Sequence, residues 1–336
     1  MIFELVFVGF GNVGRRVEQL LGEMAPRLSF GTRTLAVITG HHGGYAQDGW
    51  PAAIPNPATD GGSNSGVITA LASHHAAAAR EGRLVYVETT TLDIRAGEPA
   101  ISHVRAALAG GAHVVTANKG PVAFAHAELA SLARSVDREF LFEGAVMDGI
   151  PVFNLVRETL PGVRIDGFRG IVNSTTNHIL TMIERGETFD AALAQMQAEG
   201  IAEADPSLDV DGWDAAAKTA ALMNVLMGAR VTPHDILREG IRHLSAEDVR
   251  SAATQGERLR LVASADRLGG SPSGRVQVER VPAADPLGGI EGQQNALLLT
   301  TDVLGEIGIV QRSGGLTLTA YAIVSDLAAI ARRART

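Results

Sequence analysis

Residues 3 to 14 read FELVFVGFGNVG, an apolar run that passes into the spacing G-x-G-x-x-G, and a helical pattern follows from Arg15 to Met24. Between a strand and a helix, Gly9 permits a tight turn, Gly11 lets a pyrophosphate approach the backbone, and Gly14 allows the helix to pack closely on the strand. An ordinary tight turn is the alternative interpretation. We predict dinucleotide binding here, and the candidate cofactor-binding residues of the motif are Gly9, Gly11, Asn12, Val13 and Gly14.

The alternation of strands and helices continues to about residue 145. Predicted strands cover 34–39, 83–88, 113–116 and 139–142, and predicted helices cover 67–80, 98–109 and 122–135. This alternation favours a Rossmann-type, doubly wound parallel sheet with its ligand at the carboxyl ends of the strands. Thr89 and Thr90 follow one strand, and Asn118 and Lys119 follow the next. We therefore assign these four residues to the cofactor site, with a solvated lysine as the alternative for Lys119.

The strand at 34–39 bears on the choice of coenzyme. A carboxylate at its end would hold a ribose 2′-hydroxyl, but the chain continues as Thr39-Gly40-His41-His42, with Arg33 at the start of the strand. Without that carboxylate nothing repels a 2′-phosphate, which favours NADP(H) and leaves NAD(H) as the alternative. The histidines are equally compatible with an ordinary loop. The Gly- and Pro-rich residues 43–65 are predicted to form a long surface loop.

Only two lysines occur among the 29 Lys and Arg residues of the chain, Lys119 and Lys218. Residues 202–218 read AEADPSLDVDGWDAAAK, so a carboxylate-rich, irregular loop is predicted before Lys218. Asp214 heads a predicted helix at 215–227 and stands four residues before Lys218, which places both side chains on one helix face. A weak, solvated surface pair is the alternative interpretation.

The residues that follow Lys218 indicate a buried helix, because they are apolar on nearly every side. A lysine held among carboxylates keeps its charge and presents a proton at a fixed point, whereas arginine does not readily lose one. The remaining carboxylates are suited to hold a substrate ammonium group. Lys218 and Asp214 are therefore the catalytic candidates.

Two further segments carry polar groups suited to ligands. Residues 143–151, EGAVMDGIP, form a predicted hinge whose backbone carbonyls, with the Glu143 and Asp148 carboxylates, suit a hard cation. A simple linker is the alternative. Residues 173–177, NSTTN, open a predicted helix whose hydroxyl and N–H groups suit a carboxylate, and a plain helix cap is the alternative there.

The second half of the chain has a different pattern. After a helix at 153–159 and a strand at 162–172, predicted strands cover 258–265, 274–281, 295–301 and 305–311. An antiparallel sheet with helices on one face accommodates them. We expect a dinucleotide-binding domain at 1–145, an α+β substrate-binding and dimerisation domain at 146–312, and a C-terminal segment at 313–336 whose helix returns to the first domain.

Composition excludes several classes of protein. The formal net charge of −8 argues against nucleic-acid binding, which needs a basic surface. The absence of cysteine removes disulfides, thiolate metal sites and a cysteine nucleophile. No apolar run approaches the roughly 18 residues of a membrane span. The sequence enters its first strand without a basic n-region and a cleavage site, so we expect no secretion. We expect a cytoplasmic protein that contacts no membrane and acts on a small molecule.

Five stretches together resemble the homoserine dehydrogenase family: GFGNVG at 9–14, VTANKGP at 115–121, GIVNSTTNHIL at 170–180, AEADPSLDVDGWDAAAK at 202–218 and GQQNALLLTTD at 292–302. The resemblance covers nearly the whole chain, and its most specific part is the spacing D-x-x-G-x-D-x-x-x-K from Asp209 to Lys218. It implies an NAD(P)-dependent oxidoreductase that reversibly reduces L-aspartate 4-semialdehyde to L-homoserine. It also implies a homodimer joined through the sheet of the second domain, and a place in threonine and methionine biosynthesis.

The resemblance implies roles for individual residues at the reacting group. Lys218 would protonate the developing alkoxide, Asp214 would orient Lys218 and the substrate, and Lys119 would be a second cation near the carbonyl and the nicotinamide. Four residues would bind the rest of the substrate: Glu203 and Asp209 at its ammonium group, and Asn173 and Thr175 at its carboxylate end.

The resemblance also implies a cation site and shows three departures from the family pattern. The sodium site maps to Glu143 and the carbonyls of Val146, Asp148 and Ile150, where Asp148 adds a charge. Ser174 replaces a glycine, and residues 311–315 replace a more glycine-rich turn. A related dehydrogenase for another small amino-acid aldehyde or oxo acid is therefore the alternative function, and a cofactor-binding sensor is a third. We expect no appended regulatory domain.

Overall fold

The computed structural model describes residues 1–40, 43–46, 48–56, 64–198, 205–267 and 270–334. The chain divides into two compact units. The first comprises Met1–Leu155 and Gly315–Thr336, and the second comprises Val156–Gly314. The boundary predicted after residue 145 lies before the observed one, because Glu143 binds the backbone of residues 152–154 and so keeps that segment with the first unit.

Strands of the two units form two six-stranded sheets. In chain order the strands are β1 (Ile2–Val8), β2 (Gly31–Thr39), β3 (Gly43–Ala46), β4 (Leu84–Glu88), β5 (His113–Thr116), β6 (Phe140–Leu141), β7 (Ile165–Ile171), β8 (Leu237–Arg238), β9 (Glu257–Asp266), β10 (Ser273–Pro282), β11 (Asn295–Thr301) and β12 (Gly305–Gln311).

Helices connect these strands in both units. In chain order they are α1 (Asn12–Met24), α2 (Asn64–His74), α3 (Ala76–Arg80), α4 (Ala100–Ala109), α5 (Lys119–Ser135), α6 (Phe153–Thr159), α7 (Ser174–Glu184), α8 (Phe189–Ala198), α9 (Ser207–Val210), α10 (Trp213–Leu226), α11 (Ala246–Thr254) and α12 (Leu316–Arg333). Among the described residues, no helix is long and apolar enough to cross a membrane.

The sheet of the first unit has the order β3-β2-β1-β4-β5-β6. All its neighbouring strands are parallel except β2 and β3. The chain winds outward from β1 in both directions, so the order reverses beside β1, where doubly wound sheets bind their ligands. The Rossmann-type fold predicted for this part of the chain is confirmed.

The core of the first unit lies between this sheet and two helices. Phe3, Leu5 and Phe7 alternate inward along β1, and the buried faces of α1 and α12 pack in the same cluster. Leu327 of α12 is fully buried there. The apolar face of the amphipathic helix α12 packs into this core. Residues near the end of the chain therefore share a core with residues near its beginning.

Three local predictions need correction. Part of the loop predicted at 43–65 is the strand β3, which pairs with β2, and its Gly44 exchanges two hydrogen bonds with the Asn56 side chain. The helix predicted at 67–80 is two helices, α2 and α3. The irregular loop predicted before Lys218 contains the short helix α9. The pairing of β3 depends on a distant strand, which explains why the local pattern gave no sign of it.

The sheet of the second unit has the order β12-β11-β7-β9-β10-β8. Its neighbouring strands are antiparallel except β8 and β10. Helices α7, α10 and α11 contact β9, so the central strand is covered as well as paired. The predicted α+β character of this unit is confirmed, and its strands β11 and β12 have the predicted bounds.

Candidate functional site

The glycine-rich turn of the first unit requires glycine for steric reasons at two positions. Gly9 has a φ of 81°, and a Cβ there would lie 2.8 Å from the carbonyl carbon of Thr89. A Cβ on Gly14 would lie 3.1 Å from the Gly9 oxygen. Thr89 completes the contact, since its hydroxyl donates to the Gly9 carbonyl at 2.9 Å. The turn after β1 is therefore locked against the end of β4.

Gly11 has a different role, because a Cβ at this position would meet nothing within 4 Å. It is the N-cap of α1, so Asn12 and Val13 are the first residues of the helix. Such a helix end attracts phosphate groups through its N–H donors and its dipole. These residues fit the diphosphate of a dinucleotide.

The ends of β4 and β5 lie beside this turn. The register pairs Val8 with Glu88 and Glu88 with Thr116, which places the three strand ends at one edge of the sheet. Asn118 follows β5, and its side-chain amide donates to the Thr90 carbonyl at 3.0 Å. The structure thus brings together the four cofactor candidates that follow these strands, Thr89, Thr90, Asn118 and Lys119.

Lys119 is the first residue of α5, whereas the sequence predicted that this helix starts at residue 122. Asn118 is the N-cap and accepts the Gly120 N–H at 2.9 Å, so the helix includes residues 119–121 before the predicted start. Gly120 permits this early start because a Cβ there would lie 3.0 Å from the Cα of Gly97. The ammonium of Lys119 is therefore carried on a capped helix end and not on a loop.

Arg33 does not belong to the coenzyme edge of the sheet. Glu4 pairs with Arg33 in the β1–β2 register, and the guanidinium lies 3.2 Å from the Glu4 carboxylate near the amino ends of both strands. At the other end of β2, the Thr39 hydroxyl donates to the Gly43 carbonyl. His41 and His42, which the sequence placed after this strand, lie outside the described residues.

The second unit holds the predicted lysine and carboxylate pair. The Lys218 ammonium lies 2.8 Å from an Asp214 carboxylate oxygen, and the two side chains are 14% and 16% exposed. Lys218 also donates to the Val172 carbonyl at 2.6 Å. The pair on α10 is thus largely enclosed, which disfavours the alternative of a solvated surface pair.

Asn173 joins two carboxylates beside this lysine. Its side-chain amide donates to Asp209 at 2.7 Å and to Asp214 at 2.9 Å. Its oxygen accepts the Thr176 N–H at 2.8 Å, so the same side chain caps α7. Asn173 therefore caps the helix and also belongs to the polar site, so both interpretations of this segment apply to it.

The surroundings of Asp209 disfavour its charged form. Burial raises its pKa, and the neighbouring Asp214 carboxylate raises it further. Hydrogen bonds from Asn173 and Thr175 and the charge of Lys218 act in the opposite direction without cancelling the effect. The structure therefore brings together Lys218, Asp214, Asp209, Asn173 and Thr175, while Glu203 lies outside the described residues.

Gly212 and Trp213 determine where α10 begins. Gly212 is its N-cap with a φ of 78°, and a Cβ there would lie 2.6 Å from the Glu239 carbonyl. The Trp213 ring lies 3.8 Å from the Arg238 guanidinium carbon. The glycine of the D-x-x-G-x-D spacing is needed for this turn. The partners Glu239 and Arg238 come from a distant segment that no local motif marks.

The residues predicted to bind a cation lie in one turn of the first unit. Glu143 is buried, and its carboxylate accepts N–H bonds from Val152 at 2.5 Å, Phe153 at 3.0 Å and Asn154 at 2.5 Å. Asp148 has a φ of 48° and accepts a hydrogen bond from the Thr319 hydroxyl at 3.1 Å.

Glu143 therefore anchors the first turn of α6 whether or not a cation is present. Val146 and Ile150, whose carbonyls complete the predicted site, flank Asp148 in the same turn. The described residues contain no cluster of three or more His, Cys, Asp or Glu side chains arranged to hold a metal. A cation here would depend mainly on backbone oxygens.

Comparison with known proteins gives the same family through sequence and structure. Residues 151–328 match the family model described as homoserine dehydrogenase. The NAD(+)-dependent homoserine dehydrogenase of Pseudomonas canavaninivorans is 37% identical over 97% of this chain and 95% of its own length. The chain belongs to the homoserine dehydrogenase family.

Other homoserine dehydrogenases agree with this assignment. The enzyme of Sulfurisphaera tokodaii is 38% identical over 74% of this chain and 77% of its own length. The crystal structure of a putative homoserine dehydrogenase from Archaeoglobus fulgidus superposes with a TM-score of 0.82 at 28% identity, covering 98% of this chain and 99% of that one. As a member of this family, the chain is an oxidoreductase that depends on a nicotinamide dinucleotide.

The raised pKa of Asp209 predicts a pH-dependent effect of Asp209→Asn on stability. A carboxyl group whose pKa is higher in the folded state opposes folding once it is ionised, so its penalty develops as pH rises from the unfolded value, about 3.9, toward the folded one. Relative to wild type, the variant should gain stability across that window. Urea unfolding from about pH 3.5 to about pH 8 measures this.

Asp205→Asn is the matched control, because the Ser207 N–H lowers the pKa of this exposed aspartate. The charged Asp205 carboxylate therefore stabilises the folded state, and this stabilisation is lost as pH falls through its folded pKa. The electrostatic account would be contradicted if the difference in unfolding free energy between wild type and Asp209→Asn did not change with pH. It would also be contradicted if that difference had the same sign as for Asp205→Asn.

Proposed function

We infer that the chain catalyses the reversible reduction of L-aspartate 4-semialdehyde to L-homoserine, with Lys218 as the proton donor. The observation that carries this proposal is the enclosed Lys218–Asp214 pair, at 2.8 Å. Family membership supports the reaction and the substrate. The geometry supports the assignment of the proton-transfer residues, since a donor must be held at a fixed point.

The two acceptors of Lys218 determine how its ammonium is oriented. Two of the three donor directions of an ammonium group are used by Asp214 and the Val172 carbonyl. Asp214 also stabilises the charged form of Lys218, which is the form that donates. The nicotinamide cofactor supplies the hydride when it is bound. Lys218 gives a proton to the carbonyl oxygen of the aldehyde in reduction and recovers it from the hydroxyl group of homoserine in oxidation.

The carboxylates around Lys218 suit the amino group of the substrate. Asp209 and Asp214 together carry one more negative charge than Lys218 neutralises, so a substrate ammonium restores the balance. We propose that Asp209 and Glu203 bind that group. Thr175 and the N-terminal turn of α7 bind the substrate carboxylate. Asn173 positions both aspartates, because its amide donates to each of them.

The nine cofactor candidates keep the roles that the sequence assigned. We propose that the glycine-rich turn and the first residues of α1 hold the diphosphate. Thr89, Thr90 and Asn118 then line the nicotinamide end of the coenzyme site. Lys119 adds a positive charge at the start of α5. Ser174 is the one substitution near the substrate residues that favours the alternative, a dehydrogenase for another small amino-acid aldehyde.

Homoserine oxidation assayed with NAD⁺ and with NADP⁺ tests the reaction and the coenzyme together. The described end of β2, Thr39 and Gly40, offers neither a carboxylate for a 2′-hydroxyl nor a cation for a 2′-phosphate. The missing carboxylate supports NADP. The ion pair of Arg33 with Glu4 and the similarity to the NAD(+)-dependent enzyme of Pseudomonas canavaninivorans support NAD. We expect both to work, with kcat/KM values within about tenfold of each other.

Activity on another amino-acid aldehyde without homoserine oxidation would favour the alternative dehydrogenase. Binding of a coenzyme without turnover on any such substrate would favour the sensor. A preference above about a hundredfold for either coenzyme would show that residues outside the described end of β2 select it.

Lys218→Arg tests the proton transfer. Arginine keeps the positive charge and the attraction to Asp214, but its pKa is too high for it to give up a proton. We expect kcat to fall on the order of 10²-fold or more, with coenzyme affinity unchanged. Steady-state kinetics in both directions and a coenzyme titration measure the two effects.

Arg242→Lys is the control for this exchange. Arg242 is exposed and pairs with Asp211, which precedes α10, at 2.5 Å. The variant therefore replaces an arginine by a lysine, the reverse exchange, at an ion pair outside the proposed chemistry. We expect nearly normal kcat for this variant. Full turnover in Lys218→Arg would remove the proposed mechanism.

We also propose that a sodium ion binds at Glu143 and the carbonyls of Val146, Asp148 and Ile150. Three backbone N–H groups already donate to the Glu143 carboxylate. The ion would share this group with α6 and hold the turn. Thermal unfolding in sodium chloride should therefore occur a few degrees above that in choline chloride at equal ionic strength. Equal unfolding temperatures would contradict the site.

We propose that the protein is a homodimer joined through the sheet of its second unit and acts in the cytoplasm. The edge strand β12 and the turn before it support such an interface, because Val303, Leu304 and Val310 are 70%, 52% and 51% exposed. Apolar side chains on an unprotected sheet edge favour pairing with another chain.

A further inference from the structure

Glu88 is a buried carboxylate that the proposed chemistry leaves unexplained. It is the last residue of β4 and is 1% exposed. One of its oxygens accepts the Thr90 N–H at 3.0 Å and also the Thr90 hydroxyl. The other accepts the Thr116 hydroxyl at 2.8 Å. Its three hydrogen bonds therefore go to residues at the ends of β4 and β5.

These bonds belong to a closed ring. The Thr116 hydroxyl accepts the Asn118 N–H at 2.9 Å, and the Asn118 amide donates to the Thr90 carbonyl at 3.0 Å. Thr90 in turn donates to Glu88. Glu88, Thr90, Asn118 and Thr116 thus link the ends of two strands through side chains, in addition to the ladder that pairs the strands.

The ring continues into the helix that carries Lys119. Asn118 is the N-cap of α5 and accepts the Gly120 N–H at 2.9 Å. A shift of Asn118 would release this cap and move the first turn of the helix. Because Lys119 is the first residue of that turn, the position of its backbone depends on Glu88 through two intervening side chains.

The chemistry of the ring requires an acceptor without donors of its own. Thr90 and Thr116 approach Glu88 with hydroxyl groups, and each of these hydroxyls can donate only one hydrogen. A carboxylate accepts all three bonds at once, whereas a carboxamide would place an NH₂ group against one hydroxyl. Burying a carboxylate costs several kcal/mol before its bonds are counted, so these three donors are what make a charged group tolerable at this position.

We propose that Glu88 is a positioning residue that sets the geometry of the nicotinamide end of the coenzyme site. It acts through Thr90, Thr116 and Asn118 on the residues that bind the coenzyme and on the start of α5. His103, also buried, has its Nδ1 4.0 Å from Glu88, and among the described residues this nitrogen has no hydrogen-bond partner. This inference rests on the proposed function for the roles of Thr90, Asn118 and Lys119.

Glu88→Gln tests the inference, with Tyr86→Phe as the matched control. Tyr86 lies on the same strand, is equally buried, and would lose one buried hydrogen bond, from its hydroxyl to the Ile68 carbonyl at 3.0 Å. We expect Glu88→Gln to weaken NADH and NADPH binding about tenfold and to lower kcat by a similar factor. The control should leave both within about twofold, at a comparable fall in unfolding temperature.

Thr116 provides a second pair of variants in case Glu88→Gln does not fold. Thr116→Val keeps the shape and removes the hydroxyl from the ring, whereas Thr116→Ser keeps the hydroxyl. The valine variant should reproduce the loss of coenzyme affinity and the serine variant should restore it, with the KM for homoserine changed less than the KM for the coenzyme.

Two results would overturn the inference. One is normal coenzyme binding and kcat in both Glu88→Gln and Thr116→Val. The other is a loss of binding in Tyr86→Phe as large as that in Glu88→Gln, which would show a general effect of destabilising β4. Coenzyme binding is measured directly by fluorescence titration, so these outcomes remain separate from failure of the proposed function, which would appear as a wild-type protein without homoserine oxidation.

Discussion

The second unit depends on one electrostatic arrangement, in which two enclosed carboxylates share a single ammonium. Asp209 and Asp214 would repel each other if they were only adjacent, and burial strengthens that repulsion. Asn173 makes the arrangement possible because its amide donates to both acids. Lys218 compensates one charge. The segment keeps a net negative charge near the start of α7, which is a poor arrangement for stability and a good one for binding a cationic amino group.

Backbone geometry sets the positions of both halves of the chemistry. At Gly9 and Gly212 the φ is positive and a Cβ would collide with another segment. Both the backbone conformation and the lack of space therefore exclude a side chain at these two positions. At Gly11, by contrast, a Cβ would meet nothing within 4 Å. The fold therefore requires glycine at the first two positions and not at Gly11, where we propose that glycine lets a coenzyme diphosphate approach the backbone.

The sequence predicted the parts of the fold that depend on local pattern. Strand β5 and strands β11 and β12 have their predicted bounds, because their apolar residues are bracketed by clear turns. The Lys218–Asp214 contact was also predictable, since a spacing of four residues on one helix determines it. Strand β3 was missed because its stability comes from pairing with β2. The Val172 carbonyl was missed because backbone acceptors leave no signature in a sequence.

Glu88 shows a further limit of the same kind. In the sequence it is one more acidic residue at the end of an apolar strand, next to three threonines. Its structural role becomes evident only from the hydrogen bond that it accepts from Thr116 on the neighbouring strand. Register between parallel strands determines that contact, and the strand sequences do not specify register until the helices between them are placed.

The carboxylates of Glu88, Glu143 and Asp209 therefore have different roles according to the donors that surround them. Glu143 is satisfied by backbone N–H groups, so its main effect is to hold α6. Glu88 is bound mainly through hydroxyl groups, which can be repositioned, so it transmits geometry from one strand to the next. Asp209 has an amide donor and a neighbouring acid, and its pKa is raised in consequence. The charge of Asp209 is therefore disfavoured in the folded protein, and the cationic amino group that we propose it binds would offset that charge.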